Sequence, residues 1–328
     1  MSGMKTLFKP AIMLLALLSF AGAAHAQMVS GVNELDLDLR GRIAASGASG
    51  TKLYTAALRT STTVAPGVRL LLYGTHRYGL YGVQQASVEK EWGGMAGTAA
   101  AGIVRLPFGI YDPRETYASG LIDYPLVRGD YAYHSVDWGV PGVAWSGGPP
   151  SLQLEAAGFS GRGTGIWDNQ SRIRGAAVRA QTYAGTAIFG FSRWDGAVQG
   201  FPSDPGNPPV HLNGLDLRYT RSHLVVRGEY LFGTLAGDQM AGWYLDAYYR
   251  LPQHEKWSLV GRLEQFKPGS DDAEGRQVTL GVRYVAAPNW TLALNWRRNN
   301  GPAYGQYWTP SALGGGDLYL QAYHRVGW

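Results

Sequence analysis

Arginines recur at alternate positions in several segments of this 328-residue chain, and apolar side chains fill the positions between them. Near the end of the chain, for example, Tyr323 and Arg325 alternate with Ala322 and Val326. Successive side chains of a β-strand point to opposite faces, so the pattern predicts strands with one charged and one apolar face. Guanidinium groups are permanently charged, and their forked donors suit phosphate and carboxylate groups. A surface that attracts small anions is therefore expected. The arginines assigned to it are Arg69, Arg105, Arg179, Arg218, Arg227, Arg250, Arg262, Arg283, Arg297 and Arg325.

The charged face also carries acids, and these leave a second interpretation open. Arginines and acids on one face of a sheet can pair across strands, which would make the face a balanced, solvated wall without a net field. An excess of arginine would instead raise the local concentration of anions. The acids of matching parity are Asp36, Asp38, Glu155, Asp216, Glu229, Asp246 and Glu264.

Residues for other chemistry are sparse. The chain contains no cysteine, which excludes disulfides and thiolate metal sites. Neither a G-x-S-x-G motif nor a histidine-rich cluster is present. We therefore predict no enzyme activity, no cofactor, no bound metal and no nucleic-acid partner; a barrel lipase or protease is the unfavoured alternative. The histidines past the first segment are His76, His134, His211, His223, His254 and His324.

The elements that hold these residues are predicted from composition and hydropathy. The chain has 46 glycines, 20 tyrosines and 11 tryptophans but only 16% charged residues, which disfavours helices. Lys5, Lys9, the apolar run 12–20 and the small residues 24–26 predict a cleaved signal peptide over 1–26. Beyond it no apolar run is long enough for a spanning helix, so a membrane protein of this kind must be a closed barrel. Soluble β-sandwich domains are the alternative.

Alternation along residues 27–328 predicts one all-β domain, a transmembrane antiparallel up-and-down β-barrel of about sixteen strands. Seven short turns alternate with longer segments, as in outer-membrane barrels. Strands are predicted at 33–45, 52–64, 67–77, 84–92, 96–108, 138–146, 151–160, 173–183, 185–194, 213–221, 223–233, 240–251, 256–267, 277–284, 290–297 and 316–328.

Energetics assign the two faces. An arginine at the lipid midplane costs about 2–4 kcal/mol, so ten would exceed the stability of about 5–15 kcal/mol of a typical fold. The arginines must then line the lumen and the apolar face must meet lipid. Sixteen strands leave an aqueous channel, whereas eight do not.

The longest segment, 109–137, is predicted to form the third outer loop. It is long enough to fold into the lumen and narrow it, and an external cap is the alternative. Its charged candidates for a constriction are Asp112, Arg114, Glu115, Arg128 and Asp130.

Aromatic residues near the predicted strand ends fit interfacial girdles. They are Trp92, Trp145, Trp243, Trp257, Trp290 and Trp328. Trp328 closes the last strand and resembles the terminal aromatic signal by which such proteins reach the barrel-assembly machinery.

Short spaced motifs resemble the phosphate-selective porin O/P family of outer-membrane porins. They are 102–109, 227–230, 242–244, 261–264, 281–284 and 292–296. The resemblance implies a sixteen-stranded, trimeric porin with an anion-favouring pore.

Together these observations predict an exported porin of a Gram-negative outer membrane that passes small hydrophilic solutes and favours anions such as phosphate. The expected partners are outer-membrane lipid, the assembly machinery, two further copies of the chain and small anionic or polar solutes. The alternative function is that of a structural or adhesive barrel, which would not pass solutes.

Overall fold

A computed structural model describes residues 31–43, 49–77, 80–110, 119–121, 125–128, 139–162, 172–199, 209–235, 238–269, 272–301 and 316–327. The signal peptide predicted for 1–26 and the terminal Trp328 lie outside these ranges. The domain assignment 27–328 therefore stays a prediction.

The described residues form an all-β structure in which sixteen strands pair in sequence order. Each strand is antiparallel to its neighbours, and β1 pairs with β16 to close the sheet into a barrel. This confirms the predicted antiparallel up-and-down barrel of about sixteen strands. The strands are β1 Gly31–Ile43, β2 Ser49–Ala65, β3 Val68–Arg77, β4 Leu80–Gly93, β5 Gly97–Arg105, β6 Gly139–Gly147, β7 Leu152–Arg162, β8 Arg172–Ala184, β9 Ala187–Gln199, β10 Pro209–Arg221, β11 Leu224–Leu235, β12 Asp238–Arg250, β13 Trp257–Lys267, β14 Gly275–Ala287, β15 Trp290–Asn300 and β16 Asp317–Gly327.

The two ends of the barrel differ in their connections. Tight turns, such as 66–67, 185–186 and 288–289, join the strands at one end, which we call the turn end. The opposite end, the loop end, carries the connection 106–138 between β5 and β6. That connection is the third at its end, counted along the chain. Two short 3-10 helices, Gly94–Ala96 and Leu126–Arg128, complete the described elements.

Several strand ends differ from the predicted ones. β9 and β10 extend well into the segment 195–212, and β11 and β12 leave only residues 236–237 between them. The antiparallel pairing of β10 with β11 continues beyond the residues whose side chains alternate between apolar and polar types, for example at His211 opposite Thr234. β5 is shorter than predicted and ends at Arg105, because the chain there leaves the wall and turns towards the lumen.

Side chains separate cleanly between the two faces of the wall. On β15 the residues Thr291, Ala293, Asn295 and Arg297 are buried, and the alternate residues are exposed. The same division holds along β13 and β16, where leucines occupy the exposed positions. The exposed face is the outer face and is largely apolar, as a lipid-facing surface must be. Within the described ranges, no helix is long and apolar enough to cross a membrane.

Large aromatic side chains lie on the outer face near the ends of the strands. Trp92, Trp145, Trp257 and Trp290 are exposed close to the turn end, whereas Trp243 is exposed nearer the loop end. Their distribution fits the amphipathic indole ring, which prefers the headgroup level of a membrane. Charged outer-face residues such as Arg298 lie beyond the apolar band at the loop end.

The outer face gives a test of membrane depth on a single strand. Leu294 lies midway along β15 and Asn300 at its loop end, on the same face. We expect Leu294→Arg to lower the free energy of unfolding in phospholipid vesicles by about 2–4 kcal/mol, and Asn300→Arg to lower it by about 0–1 kcal/mol. Urea titration followed by tryptophan fluorescence measures both. Equal losses in the two variants would contradict a membrane-embedded outer face.

Candidate functional site on the inner face

The inner face collects almost all of the predicted arginines. Arg179, Arg227, Arg262 and Arg297 are buried there, as their parity requires. Inner positions nearer the strand ends are held by Arg69, Arg218, Arg250, Arg283 and Arg325. Arg105 is the last residue of β5, where the wall ends. That these residues line a pore stays a prediction.

Many inner arginines pair with carboxylates of the same strand, an adjacent strand or a nearby one. Burial of an unpaired guanidinium or carboxylate group costs free energy. An ion pair between the two groups offsets that cost. The single pairs are Arg40–Asp38 (2.7 Å), Arg59–Glu34 (3.8 Å), Arg69–Glu89 (2.6 Å), Arg179–Asp216 (2.6 Å) and Arg325–Asp36 (2.8 Å). Much of the wall is thus the balanced, paired surface that the sequence left open as an alternative.

One carboxylate serves two arginines. Asp246 accepts from Arg262 Nε at 2.6 Å and from Arg227 Nε at 3.0 Å, and all three side chains are nearly inaccessible to solvent. The Tyr248 hydroxyl accepts from Arg227 at 2.8 Å and contacts Asp246 at 3.2 Å. This group therefore carries one net positive charge on the side of the barrel formed by β11 to β13.

Arg250 and Arg283 form no ion pair with any described residue. Arg283 donates one long hydrogen bond of 3.4 Å to the Thr291 hydroxyl, and its Nε is buried without a hydrogen-bond partner. Arg250 ends β12 and is exposed to the lumen. Both lie towards the turn end, where no carboxylate of the described residues balances their positive charge.

The connection 106–138 places apolar side chains against the inner wall. Leu106, Phe108, Leu126 and Val127 are buried in one hydrophobic cluster. The wall residues of that cluster lie on β6 to β13, and among them Trp194 is fully buried. The connection lies inside the barrel and packs on apolar residues of the wall. Without it, these inner-facing apolar side chains would contact water.

Polar contacts fix the same connection to several strands. The Leu126 amide donates to Glu264 on β13 at 2.5 Å, and the Gly109 amide donates to Ser192 on β9 at 2.9 Å. Farther round the wall, Asn295 on β15 donates to the carbonyl of Gly120 at 2.8 Å. The described parts of the connection therefore contact inner-face residues from β9 round to β15.

A buried ion pair is the strongest of these contacts. Arg128 donates through Nε to Glu229 Oε2 at 2.8 Å and through Nη2 to Glu229 Oε1, and both side chains are fully buried. The same guanidinium donates to the Phe108 carbonyl at 3.1 Å and lies 5.3 Å from the centre of the Phe108 ring. Arg128 thus joins the two halves of the connection to β11.

Gly109 is required where the chain passes over this pair. Its φ is +67°, a region that disfavours other residues, and a Cβ there would lie 1.6 Å from Glu229 Oε1 and 1.7 Å from Arg128 Nη2. No side chain fits without displacing the pair. The sequence signal, a glycine after Pro107 and Phe108, was part of the family resemblance, but its reason is this close approach.

An open recess of about 330 Å³ remains between the connection and β4 to β7. Gln85, Glu89, Arg105 and Glu155 line it, opposite Phe108 of the connection. Here Glu89, Glu155 and Arg105 face open space, whereas the connection covers the wall near β9 to β13. The recess is the candidate route for a solute through the described part of the barrel.

Several predicted residues fall outside the described ranges. They are Asp112, Arg114, Glu115, Asp130 and Trp328. Glu89 and Asp317 are not among the predicted inner acids, although period-2 alternation from Arg69 and Arg325 assigns both to inner positions. The sequence had no signal for Glu229 and Glu264 as partners of the connection.

The histidines form no catalytic arrangement among the described residues. His211 contacts Asp195 at 2.8 Å on the exposed outer face, and no serine hydroxyl contacts the ring. Across those same residues, no group of three or more histidine and acidic side chains could hold a metal ion.

The fold is similar to those of solved outer-membrane proteins. OmpT of Vibrio cholerae in its trimer form matches with a TM-score of 0.64 and 12% identity, over 90% of this chain and 98% of OmpT. An anion-selective porin from Comamonas acidovorans matches with a TM-score of 0.62 and 13% identity, over 91% of this chain and 99% of the porin. OmpF of Salmonella typhi, in complex with daunomycin, matches with a TM-score of 0.65 and 10% identity, over 90% and 97% of the two chains.

At these identities the likeness shows a shared porin fold. No protein-family model matches the chain, and no curated protein matches it. The finer resemblance to the phosphate-selective porin O/P family therefore stays a hypothesis.

The pair between Arg128 and Glu229 predicts a non-additive effect on stability. Arg128→Met leaves a buried, uncompensated carboxylate, so we expect a loss of about 3–5 kcal/mol in the free energy of unfolding. Arg128→Met combined with Glu229→Met replaces the pair by apolar groups and should recover most of that loss. Urea unfolding of the folded barrel measures all three proteins. A double variant no more stable than the single one would show that the pair is not the contact that matters.

Proposed function

We propose that this protein is an outer-membrane porin for passive diffusion of small hydrophilic solutes. The observation that carries the proposal is the closed sixteen-strand barrel with an apolar outer face and a charged inner face. Barrels of this size enclose an aqueous channel, and the inner charges are the groups that solutes would meet. The porins among the similar structures support the same function.

The proposed location is the outer membrane of a Gram-negative bacterium, reached through cleavage of the predicted signal peptide 1–26 and insertion by the barrel-assembly machinery. Lipid is the partner of the outer face. We propose no enzymatic activity, because the Asp195–His211 contact lacks a nucleophile among the described residues. A structural or adhesive barrel would require a closed lumen.

The proposed solute preference is for anions. Two observations support an excess of positive charge on the β10 to β14 side: Asp246 is shared by two arginines, and Arg250 and Arg283 lack ion pairs among the described residues. Such fixed charge raises the local concentration of anions within a Debye length of roughly 10 Å at 0.1 M salt. Glu89 and Glu155 in the recess act in the opposite direction, so the preference is modest. Phosphate as the preferred anion rests on the family resemblance and on one similar structure being an anion-selective porin.

Single-channel recording in planar bilayers tests the function. We expect the conductance to rise in steps as single channels insert. In a salt gradient below 0.1 M, we expect a reversal potential whose sign indicates that anions are more permeant than cations. The preference should fade near 1 M salt, because the Debye length falls to about 3 Å. A cation-selective potential in dilute salt would refute the anion preference, and the absence of conductance from correctly folded protein would favour the structural barrel.

A matched pair of substitutions tests the recess as the route. Glu89→Gln removes a negative charge from the recess and leaves its ion-pair partner Arg69 uncompensated, whereas Asp195→Asn does the same to Arg193 in a similar ion pair on the outer face. We expect Glu89→Gln to raise the anion-to-cation permeability ratio by about twofold to threefold. A fixed charge changes the electrostatic potential in the channel most strongly where low-dielectric walls are close. Asp195→Asn should leave the ratio unchanged. Equal effects of the two substitutions would rule out the recess as the route.

The proposed assembly is a homotrimer that uses the outer face of β2 to β5. A depression there is lined by small and aliphatic side chains, including Thr60, Thr62, Leu70, Leu72 and Val88. Small residues allow close approach of a second surface, while elsewhere the outer face carries bulky aromatic rings. A similar structure in a trimer form supports the same assembly.

Bulk introduced into this depression should prevent association. We expect Val88→Trp to convert a folded trimer to monomers, because the indole ring would fill the depression that the partner occupies. Val178→Trp is the matched control, since Val178 on β8 is 47% exposed and Val88 is 49% exposed. Crosslinking and unheated gel electrophoresis measure the oligomer. If Val88→Trp remains trimeric, this face is not the interface.

A further inference from the structure

An unbalanced basic cluster lies on the inner face near the turn end, away from the recess at β4 to β7. Arg250 and Arg283 occupy inner positions of β12 and β14, and both are opposite Ser258 on the strand between them. The register places their Cα atoms two strands apart, a separation of roughly 10 Å, and both side chains line one recess. Neither forms an ion pair with a described residue, although most arginines of the wall do.

Arg283 has an unused donor in a fixed position. Its Nε is buried without a hydrogen-bond partner, and among the described residues its side chain makes one hydrogen bond, the 3.4 Å contact to Thr291. The aliphatic stem is covered by Gly120, where a Cβ would approach three carbons of Arg283 to 2.9–3.1 Å. Asn295 donates to the Gly120 carbonyl at 2.8 Å, which holds Gly120 over the stem. A buried donor without a partner is costly, so its position calls for an acceptor.

Hydroxyl groups complete the surroundings. Ser119, Thr220, Ser222 and Ser258 line the same recess of about 380 Å³, together with the His223 ring. None of the described residues that line it is a carboxylate. The volume is many times the roughly 30 Å³ of a water molecule in the liquid, which leaves room for a small solute with part of its hydration shell.

We propose that this recess is a binding site for a tetrahedral, doubly charged oxyanion such as sulfate or phosphate. Two arginines offset the two charges, and their guanidinium groups supply charge-assisted hydrogen bonds. Hydroxyl donors approach from the β10–β11 turn, from β13 and from the connection, so they surround a tetrahedral ligand rather than a flat one. A bound oxyanion also relieves the repulsion between the two guanidinium groups. The site deepens the proposed porin function, because it names the solute class that the channel retains.

Direct binding to the folded full-length protein in detergent micelles tests the site without any need for conductance. We expect saturable binding of radiolabelled sulfate in equilibrium dialysis, with inorganic phosphate as a competitor and chloride or acetate as much weaker ones. Arg250→Gln with Arg283→Gln should weaken sulfate binding at least tenfold. The control, Arg276→Gln with Arg298→Gln, removes the same charge from the outer face and should leave binding unchanged.

Arg250→Gln alone provides a version that preserves the fold, because Arg250 is exposed at the end of its strand. It should weaken sulfate binding severalfold with an unchanged heat-modifiable gel mobility. Absence of saturable sulfate binding to the parent protein, or equal losses in the inner and outer double variants, would overturn the site.

Bilayer recording separates this inference from the proposed function. In a conducting protein, sulfate added at the turn end should reduce the chloride current, and the inner double variant should need at least tenfold more sulfate for the same reduction. Sulfate binding by a protein that never conducts would uphold the site and refute the porin. Conductance unaffected by sulfate, without binding in dialysis, would uphold the porin and refute the site.

Discussion

Closure of the sheet by pairing between β1 and β16 determines the rest of the structure. In hydrocarbon every backbone N–H and C=O group needs a partner within the protein, and a closed barrel supplies one for each strand. The register from Glu34 opposite Gly327 to Ile43 opposite Leu318 leaves no free edge. Since closure fixes which side chains face outwards, the apolar alternate set covers most of the outer face, and most charges of the described strands lie inside.

Confinement of the charges then decides how they pair. Wall arginines find acids at cross-strand positions, as Arg227 does with the directly opposite Asp246. Glu229 has no such partner, because its cross-strand neighbours are Asp216 and Tyr244. The connection provides hydrogen-bond donors for two acids of the wall. Arg128 pairs with Glu229, and the Leu126 amide donates to Glu264. Two wall acids without a matching arginine thus become the anchor points of the segment that covers them.

Period-2 alternation was sufficient to predict the strands, their faces and most inner arginines, since these depend only on neighbours along the chain. The alternation did not predict contacts between residues that are far apart in the sequence. The early end of β5 at Arg105 reflects the buried contacts of Leu106 and Phe108 on the far wall, which no local pattern encodes. Likewise, Arg179 and Arg283 look alike in sequence, yet one has Asp216 at 2.6 Å and the other has no carboxylate among the described residues. That difference depends on register and on the path of the connection.

The connection makes the lumen asymmetric, and this asymmetry gives the charges their separate roles in the proposed pore. Its apolar residues cover the wall of β6 to β13, whereas the recess at β4 to β7 stays open and holds Glu89 and Glu155 with Arg105. Acids and arginines of that recess partly cancel, so size should limit entry there more than charge does. Arg250 and Arg283 lie on the other side of the barrel, where none of the described residues that line their recess is an acid. Both recesses reach the turn end, since Ser146 of the first and Ser258 of the second each lie one residue from a strand end there. Because an uncancelled field acts over roughly 10 Å at 0.1 M salt, the two arginines would act on solutes that pass along their own side of the channel. Sieving by size and retention by charge would then occur on opposite sides of one channel.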